Sequence, residues 1–365
     1  MMRLPVLILA CLALTLGGCV TTREKAVFRL GIDADPAAKR QMWPQERSGE
    51  VPRYIYVGDL TGENNFIRPE SEAKNTRNAI ARFFDIIIGE EPPMLLDRPQ
   101  MGTVDARGRI LVTDMGRGAI FVFDEAAGRL DVWGKAAGVI NFLSPVGIAA
   151  GPDGHTFVAD PDLALVARLD VDGSPLSPIG KGLLQRPTGV AYEPRSKRLF
   201  VADTSAHEIK VFDLEGKLLE TIGEHGEGPL EFNYPTHIAV LDEKLYVSDS
   251  LNSRVQVISA PTGRYLGTIG RRGLFIGNMV RPKGVAADSE HNVYVVESEF
   301  DYLLIYNRRG EFLIPIGGVG SGPGKFHLPA GVWVDAHNRV FVADMLNGRV
   351  AVFQFLGGDV DDDRN

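Results

Sequence analysis

One unit recurs six times along most of this 365-residue chain, and its clearest copy runs from Arg186 to Gly223. Short runs of β-branched and aromatic residues alternate there with turn residues, which predicts four short strands. The predicted strands are Gly189–Glu193, Arg198–Asp203, Glu208–Asp213 and Lys217–Ile222. Each copy is therefore expected to form one four-stranded antiparallel sheet.

Two kinds of residue keep the six copies in phase. Each copy opens on a proline, and successive prolines stand 42 to 48 residues apart: Pro99, Pro145, Pro187, Pro235, Pro282 and Pro329. An acidic residue ends each second strand, 14 to 16 residues after the proline: Asp114, Asp160, Asp203, Asp249, Glu297 and Asp344. So regular a period is typical of a repeat fold in which every copy is one supersecondary unit.

The first residues predict export and a lipid anchor. A short basic start precedes an apolar run, Leu4–Leu16, that is too short for an ordinary membrane-spanning helix. The run ends in Leu16-Gly17-Gly18-Cys19, which resembles the bacterial lipobox and implies a signal peptide over 1–18 and a diacylglyceryl group on Cys19. The alternative is an ordinary signal peptide that contains a cysteine. Since Val20 is not the aspartate that holds such proteins at the inner membrane, the resemblance implies the outer membrane.

Composition narrows the possible partners and chemistry. A net charge of -8 without a basic stripe argues against a nucleic-acid partner. Of the two cysteines, Cys11 leaves with the signal peptide and Cys19 takes the lipid, so no thiol remains for catalysis, disulfides or metal binding. No cofactor is predicted beyond that covalent lipid. Residues 19–52 are predicted to be a polar linker, and residues 357–365 an acidic, disordered tail.

An N-terminal strand is predicted to complete the last copy. Arg53–Gly58 has the pattern of a fourth strand without the three that normally precede it, and the sixth copy stops at Phe355 after three strands. Pairing the two would close a ring and leave no open sheet edge. The insertion over about 61–91 breaks the pattern, and its apolar spacing predicts a helix over Ser71–Ile88.

Several phrases in the copies resemble NHL repeats. Examples are Gly284-Val-Ala-Ala-Asp288, Arg198-Leu-Phe-Val-Ala-Asp203 and Asn347-Gly-Arg-Val-Ala-Val-Phe353. The resemblance covers residues 98–355 and implies an all-β, monomeric six-bladed β-propeller over 53–356. The entry segment Tyr56–Phe66 makes it similar to bacterial NHL-repeat lipoproteins. Such a resemblance is specific for fold but not for function, because relatives include RNA binders, protein-binding scaffolds and lyases.

The blade geometry implied by this family sorts residues by face. The connections into the inner strands and the turns after the second strands lie at one end of the ring, which we call the top face. The six acidic residues listed above, the acidic ring, belong to it. They could form a cation site or an electronegative funnel, or each could cap its own turn by accepting backbone N–H bonds. Identical placement in six blades favours capping.

Positions at which the six copies differ are a better guide to a functional site than positions that all copies share. The residues two places after the prolines are mostly glycine, which suits strands crowded around an axis: Met101, Gly147, Gly189, His237, Gly284 and Gly331. His237 and Met101 are therefore predicted near the channel mouth. His237 could be a metal ligand, an acid–base group or a hydrogen-bonded filler. Three convergent metal ligands cannot be assembled, because the other histidines fall in different blades or at the opposite end: His155, His207, His225, His291, His327 and His337.

Apolar residues also occupy top-face turns, where polar ones are expected: Met115, Leu163, Leu251, Phe275, Phe300, Met345 and Leu346. A contiguous apolar patch there would mark an interaction site. Two functions compete. The first is a non-enzymatic, lipid-anchored scaffold that binds a protein or an extended ligand on its top face. The second is a metal-dependent lyase or lactonase-like enzyme acting at the central channel, for which no catalytic residue can be named.

Overall fold

The computed structural model describes residues 25–30, 41–45, 49–67 and 92–357. Cys19 and the signal peptide, the predicted helix Ser71–Ile88 and the acidic tail beyond Gly357 lie outside the described residues. No helix within the described ranges is long and apolar enough to cross a membrane. The described residues form an all-β domain.

Six antiparallel sheets, blades 1 to 6, follow one another along the chain. From inner to outer strand, blade 1 holds Pro99–Val104, Ile110–Asp114, Ala119–Asp124 and Arg129–Trp133; blade 2 holds Ile148–Ala150, Thr156–Asp160 and Leu165–Leu169; blade 3 holds Pro187–Glu193, Arg198–Asp203, Glu208–Phe212 and Leu218–Ile222. Blade 4 holds Pro235–Leu241, Lys244–Asp249, Arg254–Ser259 and Tyr265–Ile269; blade 5 holds Pro282–Ala287, Val293–Glu297, Tyr302–Tyr306 and Phe312–Gly317; blade 6 holds Pro329–Val334, Arg339–Asp344 and Arg349–Phe355.

The inner strands of neighbouring blades contact one another in sequence, and blade 6 contacts blade 1, so the sheets form a closed six-bladed ring. The strand bounds predicted for blade 3 are confirmed to within two residues. Blade 2 has three regular strands. In place of a fourth strand, isolated β-bridges pair Pro175 with Leu169 and Ile179 with Val166.

An N-terminal strand closes the ring as predicted. Tyr54–Leu60 pairs antiparallel with Arg349–Phe355, and a bulge falls between Tyr56 and Gly58. The pairing runs two residues beyond the predicted end at Gly58. Across it, Asp59 forms an ion pair of 3.1 Å with Arg349.

Short strands outside the six blades lie next to the closing strand and in the connections between blades. Met42–Trp43, within the predicted linker, adds a fifth strand to blade 6, and the Trp43 ring meets the Phe353 ring edge-on. The other short strands are Val27–Phe28, Phe66–Ile67, Lys135–Ala137, Ile140–Asn141, Glu224–His225 and Glu231–Phe232. Short 3-10 turns are Glu63–Asn65, Pro152–Gly154, Thr204–Ala206, Ser250–Asn252 and Met345–Asn347.

The core lies between the blades rather than inside any one sheet. Because successive side chains of a strand point to opposite faces, each of the middle strands packs against both neighbouring blades. Large aromatic side chains fill these interfaces and are fully buried: Phe121, Phe157, Phe200, Tyr294 and Phe341, one from each of five blades. Ring closure therefore contributes to the burial of every blade.

Candidate functional site

The acidic ring is built into the backbone of the top face. Each of the six carboxylates is at most 1 % exposed and accepts a backbone N–H from the residue two places before its blade's proline. These N–H to oxygen distances are 2.6 to 3.0 Å, as for Asp97 to Asp114 at 2.7 Å. The carboxylates thus fix the chain where it enters each inner strand, and none of them faces solvent.

Burial does disturb the titration of some of these groups. Burial raises the pKa of Glu297, although the backbone N–H groups of Val280, Glu299 and Arg281 stabilise its charge and oppose that rise. The pKa of Asp344 is raised for the same reason, against the bonds from His327 and Arg349. Both shifts follow from position within the blade and point to no ligand.

At the glycine positions two residues after the prolines, the inner strands of neighbouring blades approach each other closely. A Cβ atom on Gly147 would lie 2.4 Å from the Thr188 carbonyl oxygen of the next blade, and one on Gly331 would lie 2.2 Å from the Gln100 carbonyl oxygen. Backbone this close leaves no room for a side chain, so glycine is required there. Met101 and His237 are the two exceptions, and both are buried rather than projecting into an open mouth.

His237 has no hydrogen-bond partner for either ring nitrogen among the described residues. It is 5 % exposed, and burial together with the nearby Lys283 lowers the pKa of His237 to about 3. The imidazole is therefore neutral at physiological pH. Lys283 is partly buried, and burial followed by the charge of Arg281 lowers the pKa of its ammonium. The described residues supply no hydrogen bond for the filler role predicted for His237.

The predicted apolar turn residues divide into two groups on the top face. Four are exposed to solvent: Leu251, Phe275, Phe300 and Leu346. Met115 and Leu163 are partly buried, whereas Met345 is buried because it opens the turn after Asp344 and packs inward. We call the four exposed residues the apolar rim; Met345, being buried, is not one of them.

Further exposed apolar residues lie in the connections between blades, and sequence reasoning missed most of them. They are Val139, Leu143, Leu183, Tyr234, Leu274, Ile276 and Val319. The available signal was the presence of large apolar residues in stretches otherwise rich in turn residues. Every connection between consecutive blades therefore carries at least one exposed apolar side chain on the top face.

Two histidines that appeared unrelated in the sequence come together between blades 3 and 4. The rings of His207 and His225 are 4.5 Å apart, and the Tyr234 ring is 4.8 Å from His207. The Tyr234 backbone N–H donates to Nδ1 of His207 over 3.2 Å. Within the described ranges no three His, Cys, Asp or Glu side chains converge as a metal site.

Blades 6 and 1 break the symmetry below the glycine positions. Five blades carry alanine or threonine where blade 6 has Trp333, and blade 1 has Gly102 where the others have valine or isoleucine. The indole of Trp333 stacks on Phe341 and covers Gly102, where a Cβ would lie 2.3 Å from the ring. These inner strands line a channel cavity of about 210 Å³.

The family comparison agrees with this architecture. A family model, DUF5128, described as a 6-bladed beta-propeller, matches residues 183–270. The chain is 27% identical over 140 residues to Protein brain tumor of Drosophila melanogaster, and 26% identical over 173 residues to NHL repeat-containing protein 3 of Mus musculus. The chain is an NHL-repeat six-bladed β-propeller. The matches cover 38% and 45% of this chain but only 13% and 37% of those relatives.

Solved structures share the propeller fold at low sequence identity. A streptogramin B lyase superposes with a TM-score of 0.54 at 13% identity, covering 71% of this chain and 94% of that one. A gluconolactonase from Xanthomonas campestris gives 0.55 at 13% identity, covering 72% and 89%. Likeness at this level establishes the fold alone.

Proposed function

We propose that this protein is a lipid-anchored scaffold that binds a protein partner through the top face of its NHL propeller. The observation that carries the proposal is the apolar rim, Leu251, Phe275, Phe300 and Leu346, together with the exposed apolar residues of the connections. Solvent-exposed apolar side chains gathered on one face of a monomeric domain are typical of an interaction surface.

Protein-binding scaffolds are among the NHL-repeat relatives that this chain resembles, which supports a protein partner. The same face offers little for catalysis, because the acidic ring is committed to backbone N–H groups. A cation bound to His237 would also lie beside the Lys283 ammonium, and like charges repel strongly where water is excluded. These contacts favour the scaffold over a metal-dependent lyase or lactonase.

Replacing Phe300 and Leu346 together with serine is expected to weaken partner capture while leaving the melting temperature nearly unchanged. Loss of two apolar anchors costs about 1–4 kcal/mol of binding, or roughly fivefold to nearly a thousandfold in affinity. Capture from detergent extracts of the native membranes, followed by quantitative titration of the recovered partner, measures the loss.

The matched control replaces Leu219 and Leu266, which are similarly exposed on outer strands, with serine. This variant loses as much apolar surface but none from the top face, so capture should stay at the level of the unaltered protein. Equal losses in both variants would contradict a top-face site. Unfolding of the Phe300/Leu346 variant would mean that these side chains stabilise the loops.

The lipid anchor and an outer-membrane location are part of the same proposal. Changing Cys19 to serine should abolish lipidation and release the chain from the membrane fraction, because the lipid on Cys19 is the membrane attachment in this proposal. Metabolic labelling with a fatty-acid analogue and fractionation of the two membranes measure the outcome. Persistence of the processed variant in the outer membrane would contradict attachment through this cysteine.

A further inference from the structure

A lysine without a counter-ion stands at the top of the channel. Lys283 follows Pro282, the first residue of the inner strand of blade 5, and is partly buried. Among the described residues it forms neither an ion pair nor a hydrogen bond. Burying an ammonium without a partner costs free energy, so such a group is usually retained for a purpose.

The other cations around this entrance are already paired. Three arginines stand directly before the prolines of alternate blades, and each lies within 4 Å of a carboxylate: Arg98 with Asp97, Arg186 with Asp162 and Arg281 with Glu299. The carboxylates of the acidic ring are occupied by backbone N–H groups. Unlike these three arginines, Lys283 is left without a partner by the described residues.

His237 supplies a second polar group beside Lys283. The glycines show where a side chain at this position points: a Cβ on Gly189 would lie 2.5 Å from the Thr236 carbonyl oxygen and 3.2 Å from the His237 Cα of the next blade. One blade further on, the same geometry directs the His237 side chain toward the backbone of Lys283 and Gly284, and the charge of Lys283 lies close enough to lower the pKa of the imidazole. Both nitrogens of the imidazole are buried and have no partner among the described residues.

We propose that Lys283 and His237 form a carboxylate-binding site at the top of the channel, which takes an acidic group of the protein partner. The proposal rests on the top-face function above and adds the chemistry of the partner. The ammonium and a neutral imidazole N–H are both donors, so together they suit an oxygen anion. One unpaired positive charge matches a single carboxylate, whereas a phosphate dianion would remain half-neutralised.

The site can be tested with a probe before the partner is known. N-acetylglutamate added to the purified protein should raise the melting temperature in a saturable way that weakens with salt, whereas N-acetylglutamine, its neutral isostere, should not. Lys283→Met should abolish this response and raise the melting temperature of the ligand-free protein, because it replaces an unpaired ammonium with a thioether chain of similar length. Lys217→Met removes an exposed lysine on the bottom face and should leave the response intact.

Partner capture completes the test. Lys283→Met is expected to lower the affinity for the captured partner about tenfold, as loss of a charged hydrogen bond does. Equal responses to the acid and the amide, or an unchanged response in Lys283→Met, would overturn the site. Stabilisation by inorganic phosphate but not by N-acetylglutamate would overturn its assignment to a carboxylate.

The two proposals fail differently. Normal capture by Lys283→Met, together with a loss of capture in the Phe300/Leu346 variant, would overturn the carboxylate proposal and leave the top-face function standing. Lost capture in Lys283→Met with normal capture in the Phe300/Leu346 variant would support the carboxylate site and overturn the role of the apolar rim.

Discussion

Deletion of residues 53–60 is expected to abolish cooperative folding of the propeller. The strand Tyr54–Leu60 alternates buried and partly buried residues, and its three aromatic or aliphatic buried side chains are Tyr54, Tyr56 and Leu60. Removing three large core side chains at about 2–4 kcal/mol each exceeds the lower range of domain stability. The deletion also exposes the backbone edge of Arg349–Phe355. Size-exclusion chromatography and thermal melting measure the result, which should be aggregated or unfolded protein.

A milder change in the same strand is the control. Ile55→Thr combined with Val57→Thr alters its partly buried positions and keeps backbone pairing, so only a small loss of stability is expected. A deletion variant that stayed monomeric and melted at the temperature of the unaltered protein would show that the N-terminal strand does not hold the ring closed.

The pair formed by Gly102 and Trp333 should give the second-largest effect. Gly102→Val forces a side chain into the indole, where a Cβ alone would be 2.3 Å from the ring, and should cost about 3 kcal/mol or more. Trp333→Ala leaves a cavity over Phe341 and should cost about 3–5 kcal/mol. The double variant restores the valine and alanine found at these two positions in most blades, so it should be more stable than either single variant.

Urea unfolding of the four proteins gives the coupling energy, expected to be about 2 kcal/mol or more in favour of the double variant. Additive single effects would mean that the two residues do not compensate each other, and that the broken symmetry between blades 6 and 1 has another basis.

The ring of blades was predictable from the sequence because the residues that mark each repeat act within a single blade. A proline before each inner strand and an acidic residue after each second strand lie within one blade, and their spacing follows from the hydrogen bonds they support, as between Asp203 and the Arg186 N–H at 2.7 Å. The pairing of the N-terminal strand was predictable for the same reason. Met42–Trp43 and Val27–Phe28 were not, because two-residue strands carry too little pattern to detect.

The candidate site was predictable only in part. In the turns after the second strands the first residue packs inward and the next is exposed, so Met345 is buried while Leu346 is not, and likewise Ser250 and Leu251. The sequence alone does not reveal that alternation. Lys283 matters because no described carboxylate or hydrogen-bond acceptor pairs with its ammonium. That absence is a property of the tertiary structure and cannot be read from the sequence around Lys283.

In every blade the acidic residue accepts a hydrogen bond from the backbone that enters that same blade. This has a consequence for how the length and sequence of the connections can change. Since the entry point of every inner strand is fixed by its own blade, the preceding connection has no part in setting strand register. A connection can then lengthen or exchange residues without moving the scaffold, as the unequal proline spacings of 42 to 48 residues already illustrate. All of that freedom is confined to one side of the ring, so new recognition loops could be grafted there, blade by blade, onto an unaltered frame.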